Sequence, residues 1–442
     1  MAKKNGITIS DALIPKDDYP YDVPNNWCWV KLGAISSIIS KGTTPKGGKS
    51  AYVDEGIDFL RVENINDDGT ICHDNMMHVT EETHTGFLKR SMLEENDVLV
   101  SIAGTLGKTA IVKKDDLPLN TNQAVAFVRL ADNGEISRDF IRYAIDTPVI
   151  QNMLLAKTKV TAIPNLTLEI ISDCLIPLPP LAEQKRIVEQ IENLFSMLDE
   201  AKEKAQEALE SISNRKSAIL VNAFSGKLTE KWRNKKGYNI DSWESCKISD
   251  VFDLKAGKNI SATKIVEEQD ATHRYQCFGG NGVRGYVEEY NQDGDFCIIG
   301  RQGALCGNIN VARGQFYATE HAVLVKYKKP VYLLWAEHYL RYMNLNQYAT
   351  SVAQPGLAVG KINEVPMIYV PYEEQCEIGN NIESLFTKED SVKANIEVVI
   401  EKIEILKKTI LAKAFRGELG TNNPDEERSI ELLRRMVEGV DD

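Results

Sequence analysis

The chain carries an internal repeat with a constant offset of 191 residues. The first copy reads PLAEQKRIVEQIENLF from residue 180, and the second reads PYEEQCEIGNNIESLF from residue 371. The match continues without a gap to Leu228 and Leu419, and 19 of its 49 positions are identical. A repeat of this length predicts two copies of one structural plan in a single chain.

Weaker similarity extends upstream of both copies. Trp27 and Trp243 begin comparable segments, and residues 96–112 parallel residues 294–311. Short β-branched runs between Gly and Asn turns predict strands there. The helices expected within the globular regions, from their apolar spacing, are 138–156 and 332–348. We therefore expect an α+β fold with two globular domains, each followed by a long helix.

Prolines mark the ends of the globular regions. Pro177, Pro179 and Pro180 close the first region and Pro371 closes the second, at points where a helix can begin. The expected order is an N-terminal extension (1–22), a first globular domain (23–180), a central helix (181–228), a linker with the second globular domain (229–370), a C-terminal helix (371–420) and an acidic tail (421–442).

The repeated segments have the heptad spacing of a coiled coil, in the same register in both copies. The expected seam, mostly apolar, consists of Ile187, Ile191, Leu194, Leu198, Ala201, Ala205, Ala208, Ile212, Arg215 and Ile219 in the first copy and Ile378, Ile382, Leu385, Glu389, Val392, Ile396, Val399, Ile403, Leu406 and Ile410 in the second. We expect the helices to pack on each other, with bulky residues against small ones. Packing of each helix on its own globule is the alternative.

The linker after the first long helix decides the direction of the helix pair. A helix over residues 181–224 is about 66 Å long. In a parallel pair, residues 225–242 would have to span that length, but fully extended they reach only about 60 Å. An antiparallel pair needs no such reach. We therefore expect antiparallel coiled-coil helices and a pseudo-twofold relation between the two globules.

Composition and charge limit the functional class. The formal net charge of −12 excludes a globally basic nucleic-acid binder, so any DNA site has to be a local patch. The eight cysteines form no CxxC pair, which favours a reducing cytoplasm over a disulfide scaffold. No apolar stretch approaches the roughly 18 residues of a membrane span, so no membrane association is expected.

Three patterns imitate catalytic or metal sites. Gly280, Gly282 and Gly285 form GxGxxG, but we expect a strand to follow rather than a phosphate-binding helix. Residues 107–109 read GKT without the first glycine of a P-loop. The third group, which matches no standard zinc spacing, consists of Cys72, His73, His78 and His84. We therefore expect neither catalysis nor a bound metal.

The repeated segments resemble those of specificity subunits of type I restriction-modification systems. The resemblance rests on PLPPLAEQKRI from Pro177, SGKLTEKWR from Ser225 and ILAKAFRGEL from Ile410, and it covers nearly the full chain. It implies two target-recognition domains joined by an antiparallel helix pair, without a catalytic centre. It also implies sequence-specific binding of double-stranded DNA, in which each domain reads one half of a bipartite, asymmetric site.

The same resemblance implies partners and their cofactors. Two adenine methyltransferase subunits would carry S-adenosylmethionine, and restriction subunits with nuclease and translocase activity would use ATP and Mg. This chain would bind no cofactor itself, and its helix pair would set the spacer and dock the methyltransferase subunits. One departure is visible, because GKLTEKWR becomes GELGTNNP in the second copy. The contacts of residues 229–233 are therefore expected to lack an equivalent there.

Base reading needs paired donors and acceptors on turns, such as Arg for guanine and Asn or Gln for adenine. The candidates in the first globule are Arg61, Asn64, Thr105, Lys108, Asn122, Gln123 and, as a phosphate contact, Lys159. Those in the second globule are Asn281, Arg284, Arg301, Gln302, His321 and, as a phosphate contact, Lys361. An ordinary polar turn residue is the alternative for each, and only clustering favours a site.

A second group of residues is predicted to bind partner subunits. It consists of Glu183, Gln184, Lys231, Trp232, Arg233, Glu374 and Gln375. The basic and aromatic cluster at 231–236 suits DNA or a partner, and favourable placement at a helix C-terminus is its simpler interpretation. The tail segment IELLRRMV, from Ile430, is expected to dock on a partner subunit.

Two other functional classes stay open. A coiled-coil scaffold would bind protein only, and a mobility-shift assay with the methyltransferase partner would then reveal no DNA sequence preference. A catalytic methyltransferase is disfavoured because the chain has no Asn-Pro-Pro-aromatic segment. Binding of S-adenosylmethionine by the purified chain would support that class.

The repeat predicts that the two halves of the target site are read independently. Exchange of residues 24–179 for the equivalent region of a relative should change one half-site and leave the other unchanged, because each globule would carry its own reading residues. Methylome sequencing of a host that expresses the hybrid with its partners measures both halves. A change in both halves would contradict modular reading.

Overall fold

The computed structural model describes residues 8–131, 134–158, 164–303, 305–350 and 356–438. Within these ranges the chain forms twelve α-helices and nineteen strands. The helices are α1 Ile9–Ala12, α2 Glu81–Thr85, α3 Arg138–Ile145, α4 Pro148–Ala156, α5 Leu168–Ser172, α6 Leu181–Phe224, α7 Glu230–Lys236, α8 Ile248–Val251, α9 Leu333–Tyr342, α10 Val359–Asn363, α11 Tyr372–Ala414 and α12 Ser429–Glu438.

The strands fall into two groups that occupy the two globular regions. The first group is β1 Cys28–Lys31, β2 Ser36–Lys41, β3 Ile57–Leu60, β4 Met77–Val79, β5 Val98–Ser101, β6 Thr109–Ile111, β7 Leu119–Thr121, β8 Val125–Leu130 and β9 Leu175–Leu178. The second group is β10 Glu244–Lys247, β11 Phe252–Ala256, β12 Tyr275–Gly279, β13 Gly282–Val287, β14 Gln292–Asp293, β15 Phe296–Gly300, β16 Ile309–Ala312, β17 Gln315–Ala318, β18 Ala322–Tyr327 and β19 Pro366–Tyr369.

The chain divides into two compact units whose boundaries lie inside the long helices. Unit 1 comprises residues 1–203 and 400–442, and unit 2 comprises residues 204–399. Each of α6 and α11 therefore contributes one end to each unit. The expected α+β architecture with two globular domains and two long helices is present, but the compact units do not end where the globules were expected to end.

Unit 1 is built around a four-stranded antiparallel sheet in the order β2-β8-β5-β6. Successive residues of a strand face opposite sides of a sheet, and here both sides are apolar. Val98 and Val100 of β5 lie in one buried cluster, while Leu99 lies in another. This explains why β5 is buried at every position. A three-stranded sheet, β4-β3-β7, and the pair β1·β9 complete the unit.

Unit 2 repeats this topology. Its main sheet has the order β11-β18-β15-β16, and Cys297 and Ile299 of β15 face one apolar cluster while Ile298 faces another. The second sheet, β13-β12-β17-β14, contains a parallel pair, β12·β17, as β3·β7 does in unit 1. The pair β10·β19 corresponds to β1·β9. The predicted duplication is therefore confirmed at the level of strand order.

Two helices predicted within the globules are shorter than expected. The segment 138–156 is broken into α3 and α4, because Thr147 caps α4 and Pro148 occupies its first turn, where the missing N–H is tolerated. In unit 2, α9 ends at Tyr342, and Asn344 adopts a left-handed conformation with φ of 45°. The apolar residues keep their helical spacing across both breaks, so the sequence pattern did not reveal them.

The long helices are antiparallel within each unit. Residue numbers rise along α6 as they fall along α11. In unit 1 the ion pairs Asp199–Lys407 and Lys202–Glu404 have this order. In unit 2 Arg215 pairs with Glu389, while Thr229, which follows α6, donates to Glu374 at the start of α11. Glu389 and Arg215 are the two charged seam positions, and they neutralise each other at 2.9 Å. The predicted direction of the helix pair is thus confirmed in both units.

The predicted seam is buried only in part. Ile187 and Ile191 lie in the core of unit 1, and Ile378 and Ile382 lie in the core of unit 2. The seam positions that remain exposed are Ala201, Val392, Val399 and Leu406. The predicted seam therefore contains exposed positions as well as buried ones. Heptad spacing reports which residues share a helix face, but their burial also needs the apolar cover that the globular cores provide.

Glycines end both long helices at equivalent positions. Gly226 follows α6 and Gly417 follows α11, with φ of 81° and 74°. This left-handed conformation suits glycine because other residues pay a steric cost there. A side chain at Gly226 would also meet Ile240 and Arg233, and one at Gly417 would meet Pro24. The two glycines therefore set the point where each helix turns back onto its unit.

The N-terminal extension and the acidic tail both belong to unit 1. Helix α12 contacts α1, and Leu432 and Leu433 are buried in the same core as Trp27. The Ser429 N–H and hydroxyl both donate to Asn26 O, at 2.9 and 3.0 Å. The prediction that the tail docks on a partner subunit is corrected, because its apolar face packs against this chain. Among the described residues, no helix is both long and apolar enough to cross a membrane.

We predict that unit 1 depends on the tail for stability. Leu433→Ala should lower the free energy of unfolding of unit 1 by about 2–5 kcal/mol, because it removes a fully buried side chain from the core. Hydrogen exchange of the α1 and β1 amides measures the loss, and Arg434→Ala, at an exposed site on the same helix, is the control. Equal protection in the two variants would contradict a structural role for the tail.

Candidate nucleic-acid interface

The residues predicted to read DNA in unit 2 converge on one concave surface. An open cavity of about 630 Å³ is lined by Gly280, Asn281, Arg284, Gln302, Gly303, His321 and Gly356. Four of the six candidates predicted in this unit are among them. Three loops supply five of these residues: the turn between β12 and β13, the loop after β15 and the turn before β18. Arg284 lies on β13, and Gly356 lies before α10.

Backbone hydrogen bonds hold these loops together. The Arg301 N–H donates to His321 O at 3.0 Å, and the Leu357 N–H donates to Arg301 O at 2.9 Å. Gly300 and Gly280 approach so closely that a side chain on Gly300 would overlap the Gly280 carbonyl oxygen. The end of β15 is thereby fixed against the β12–β13 turn, so the polar side chains project from a defined backbone.

The cavity in unit 2 is rich in free hydrogen-bond donors. Arg284, in the lining, is exposed and forms no ion pair with any residue that the structure describes. Arg301 precedes the lining residue Gln302, lies outside the lining and is half-buried, also without an ion pair to a described residue. His321 lies 3.3 Å from Glu320, which is its neighbour in the chain. Asn281 accepts a hydrogen bond from Asn308 at 3.4 Å, and its own amide N–H groups remain available. Lys361 is exposed on α10, outside the cavity lining.

Unit 1 has the same loop scaffold with different side chains. The Ile102 N–H donates to Ala124 O at 2.7 Å, as Arg301 does to His321, and the Leu166 N–H donates to Ile102 O at 3.0 Å. Gln123 is exposed on this turn and accepts a hydrogen bond from the Thr44 hydroxyl. The two units therefore offer comparable surfaces, but they present different chemical groups.

Several candidates of unit 1 serve the fold instead. Asn64 is buried, accepts from the Arg61 N–H at 3.0 Å and donates to Cys72 O at 3.3 Å, so it closes its own turn and its role as a base reader is corrected. Lys108 donates to Ile65 O at 3.0 Å and pairs with Asp67 at 2.7 Å.

The other candidates of unit 1 keep surface exposure or lie beyond the described ranges. Arg61 is half-buried and pairs with Glu63 at 2.7 Å. Thr105 is exposed, and Asn122 is half-buried with its side-chain oxygen accepting from the Ala124 N–H at 3.0 Å. Lys159 lies outside the described residues.

The four repeated residues at the helix starts, predicted to bind partners, are buried. In unit 2, Glu374 accepts hydrogen bonds from the Thr229 hydroxyl at 2.7 Å, from Trp243 Nε1–H at 2.9 Å and from the Arg233 guanidinium. Both Arg233 and Glu374 are buried, so the pair is an internal one. The prediction that Arg233 and Glu374 contact a partner is therefore corrected.

Unit 1 contains the equivalent cluster with other donors. Glu183 accepts from Trp27 Nε1–H at 2.7 Å and from the Asn422 amide at 2.9 Å, and the Thr421 hydroxyl lies 3.5 Å away. We call these two groups the Glu183 cluster and the Glu374 cluster. The expectation that contacts of residues 229–233 have no equivalent in the second copy is wrong for Thr229, because Thr421 and Asn422 donate to Glu183. It holds for Arg233, because the donors to Glu183 are neutral.

The neighbouring glutamines fasten each long helix to its globule. Gln184 accepts from the Ser137 N–H at 2.9 Å, and Gln375 accepts from the Tyr332 N–H at 2.8 Å. Ser137 and Tyr332 cap α3 and α9, so each glutamine satisfies a backbone donor just before a helix. Both glutamines are fully buried. Their predicted role as partner contacts is corrected to an internal one.

The basic and aromatic cluster on α7 keeps an exposed face. Lys231 is exposed, and the half-buried Trp232 packs on Tyr238 with ring centroids 5.6 Å apart. Lys236 lies over the Trp232 ring at 6.0 Å. Lys231 and Trp232 therefore stay candidates for a contact outside this chain.

Two of the three histidines considered as metal ligands, His73 and His84, make hydrogen bonds to other side chains. His73 lies between Asp58 and Asp116, at 2.8 and 2.9 Å, and these carboxylates raise its pKa. The buried His84 bonds Asn120. Within the described part of the chain, no group of three or more His, Cys, Asp or Glu side chains is arranged to hold a metal ion.

Sequence reasoning missed Arg90 and Thr43 of unit 1. The Arg90 guanidinium donates twice to the Thr43 hydroxyl, at 3.1 and 2.8 Å, beside the turn that carries Gln123. The only sequence signal was Gly42, where a side chain would overlap the backbone of Thr121 and Asn122. A glycine directly after a strand can indicate such a close approach, but it does not identify the arginine.

The two equivalent units match a class of proteins that recognise DNA through two specificity domains. The family described as "Type I restriction modification DNA specificity domain" matches the chain twice, at residues 24–211 and 240–402. The specificity subunit of the type I restriction enzyme EcoprrI from Escherichia coli is 31% identical over 379 residues, which cover 82% of this chain and 88% of that protein. The EcoKI specificity subunit from Escherichia coli strain K12 is 25% identical over 438 residues, 91% of this chain and 92% of that protein.

Solved structures agree with the fold. The HsdS subunit from Thermoanaerobacter tengcongensis has a TM-score of 0.62 at 19% identity and covers 90% of this chain and 99% of its own. A chain from a structure on complex assembly and conformational transition of the type I R-M system has a TM-score of 0.69 at 21% identity, covering 90% and 100%. The protein belongs to the family of type I restriction-modification DNA specificity subunits. It is a DNA-recognition component and not an enzyme.

We predict that the Glu183 cluster makes stability depend on pH. Burial raises the pKa of the Glu183 carboxyl, and the hydrogen bonds from Trp27 and Asn422 lower it to a smaller extent. Because the folded pKa lies above the unfolded one, the folded state binds more protons between the two values, and the free energy of unfolding falls as pH rises through that interval. Glu183→Gln, which stays neutral, should remove this decrease.

Urea unfolding of unit 1, followed by Trp27 and Trp29 fluorescence between about pH 4 and 7, measures the slope. Glu189→Gln, at an exposed position of the same helix, is the control and should retain the wild-type slope. An unchanged slope in Glu183→Gln would show that this carboxyl does not titrate with folding.

Proposed function

We propose that each unit reads one half of a bipartite, asymmetric DNA site, and that unit 2 does so through the cavity between the β12–β13 turn and the loop after β15. The observation that carries this proposal is the convergence of Asn281, Arg284, Gln302 and His321 on that cavity. Guanidinium and amide groups are the side chains that distinguish guanine and adenine edges in the major groove.

The electrostatics of the cavity support DNA as its ligand. The net charge of the chain is −12, so nonspecific attraction of the whole molecule to DNA is unfavourable. Arg284 in the cavity nevertheless lacks a carboxylate partner among the described residues, which leaves its charge available to a phosphate or a base. The same holds for Arg301, which lies beside the cavity lining. Gly280, Gly303 and Gly356 have no side chains, so a base edge can approach the backbone of the lining.

The asymmetry of the site follows from the two loop sets. The scaffold of backbone hydrogen bonds is the same, and in it Ala124 of unit 1 corresponds to His321 of unit 2. The residue before each of them differs, being Gln123 in unit 1 and Glu320 in unit 2. Different side chains on one scaffold favour different half-sites. We propose that Thr105, Asn122 and Gln123 contribute in unit 1, with Lys159 and Lys361 as phosphate contacts of the two units.

We further propose that the chain works with two adenine methyltransferase subunits and with restriction subunits. S-adenosylmethionine would be carried by the former, and ATP with Mg by the latter. The long helices would dock the methyltransferases and set the spacer between the half-sites, with Lys231 and Trp232 among the contact candidates. All eight cysteines are free thiols, which supports a reducing cytoplasm as the compartment.

Membership of a DNA-specificity family favours this function over a coiled-coil scaffold without sequence preference. The two proposals differ in one observable. A specificity subunit imposes a fixed motif on the methylation of its host, whereas a scaffold imposes none.

We predict that Arg284 reads one base of the half-site assigned to unit 2. Arg284→Ala should reduce discrimination at one position by about 5- to 150-fold, because one bidentate contact contributes about 1–3 kcal/mol. Methylome sequencing of a host that expresses the full chain with its partners measures the motif.

Arg313→Ala is the matched control, because Arg313 is an exposed arginine of the same unit that lies 3.4 Å from Asp295 and outside the cavity lining. It should leave the motif unchanged. If Arg284→Ala weakened binding to all sequences equally, with a shallower dependence on salt, Arg284 would be a phosphate contact and the assignment to base reading would fail.

A further inference from the structure

Unit 1 has an additional segment beside its reading surface. Residues 81–91, between β4 and β5, form α2 and a short turn, whereas the residues between β13 and β15 of unit 2 form only the short strand β14. The segment is anchored by Leu88, which is fully buried against Phe59 and Val79. Its exposed residues are therefore held on a fixed backbone.

Arg90 projects from this segment and is clamped in place. Its Nε–H and Nη2–H groups donate to the Thr43 hydroxyl oxygen, at 3.1 and 2.8 Å. Thr43 is itself fixed, because its N–H donates to Thr121 O at 3.0 Å. Thr121 directly precedes the turn of Asn122 and Gln123. The guanidinium is thus positioned next to residues already assigned to DNA reading.

The clamp leaves one edge of the guanidinium free. The Nε–Nη2 edge faces Thr43, so the Nη1–Nη2 edge carries N–H groups without a hydrogen-bond partner among the described residues. Arg90 is exposed and forms no ion pair with a described carboxylate. An edge with two parallel N–H groups matches the O6 and N7 acceptors of guanine.

Unit 2 carries a positive charge at the corresponding place, but from another element. The Gly42 N–H donates to Val125 O and the Thr43 N–H to Thr121 O, while in unit 2 the Gly257 N–H donates to Ala322 O and the Lys258 N–H to Ala318 O. Lys258 therefore occupies the position of Thr43. It is exposed, and within the described ranges it has no ion-pair partner. Two unrelated side chains thus supply a cation at one site of the common scaffold.

A second cation of unit 1, Lys46, also contacts the 81–91 segment. Lys46 lies over the Phe87 ring, 5.4 Å from its centroid, and Phe87 is 46% exposed. An exposed aromatic ring that holds an ammonium group keeps that charge at the surface of the same segment. Contacts to phosphates position a protein on the duplex, whereas clamped side chains at base edges give specificity.

We propose that Arg90 reads a guanine in the half-site of unit 1 through its Nη1–Nη2 edge, and that Thr43 is its positioning residue. This inference rests on the proposed function, because it assigns a further reading residue to the same surface. A clamp of two hydrogen bonds favours base reading over phosphate binding, since a phosphate contact tolerates a mobile side chain but a bidentate base contact needs a fixed one.

The test uses the full chain, produced with its methyltransferase partner, and methylome sequencing. Arg90→Ala should reduce guanine discrimination at one position of one half-site by about 5- to 150-fold. Arg90→Lys keeps the charge but lacks the planar edge, so it should fail to restore the base preference. Thr43→Val should weaken the preference at the same position, because it removes the clamp and leaves the arginine.

Lys89→Ala, an exposed cation beside Arg90, is the matched control and should leave the motif unchanged. The half-site of unit 2, read in the same experiment, reports that each variant is folded and assembled. An unchanged motif in Arg90→Ala, or full guanine preference in Arg90→Lys, would overturn the proposal while the proposed function stands. A wild-type chain that gives no bipartite motif would overturn the proposed function and this inference together.

Discussion

A buried carboxylate at the start of each long helix ties the helix to the globule that precedes it. Removal of a carboxylate from water is costly unless its oxygens accept hydrogen bonds, so the buried Glu183 and Glu374 need donors around them. In each unit a tryptophan indole is one of these donors: Trp27 donates to Glu183 and Trp243 donates to Glu374. The helices, the first strands and the segments that follow the helices all meet at these carboxylates.

The other hydrogen-bond donors to the carboxylate differ between the two clusters. In unit 2 a cation is present, because Arg233 pairs with Glu374 in the interior. In unit 1 the donors are the neutral Asn422 and Thr421, and the nearest cation, Arg186, is engaged with Glu426 at 2.9 Å. Duplicated sequence has therefore preserved the acceptor and the indole while the remaining donors changed. The same pattern holds at the reading surfaces, where the backbone scaffold is common and the side chains differ.

Much of the architecture could be predicted from the sequence because the duplication lies in the long helices, where identities accumulate without gaps. The strand order of unit 2 repeats that of unit 1, as the weaker upstream similarity indicated. The roles of Glu183 and Gln184 could not be predicted. Polar residues after prolines are typical of an exposed helix start, and the indole that buries Glu183 lies 156 residues away. Arg90 was missed for a similar reason, since its clamp lies 47 residues away. Asn64 was misassigned because a turn-closing amide and a base-reading amide have the same sequence context.

The division of the chain into units has a consequence for biosynthesis. Unit 2 is a continuous stretch, residues 204–399, whereas unit 1 combines residues 1–203 with residues 400–442. Domains generally fold as they emerge from the ribosome, in order of synthesis. Here the N-terminal part emerges first but lacks Leu411, Phe415 and Leu433 of its own core until residues 400–442 are synthesised. Unit 2 can therefore complete its core on the ribosome before unit 1, because unit 1 needs the C-terminal part of α11 and α12.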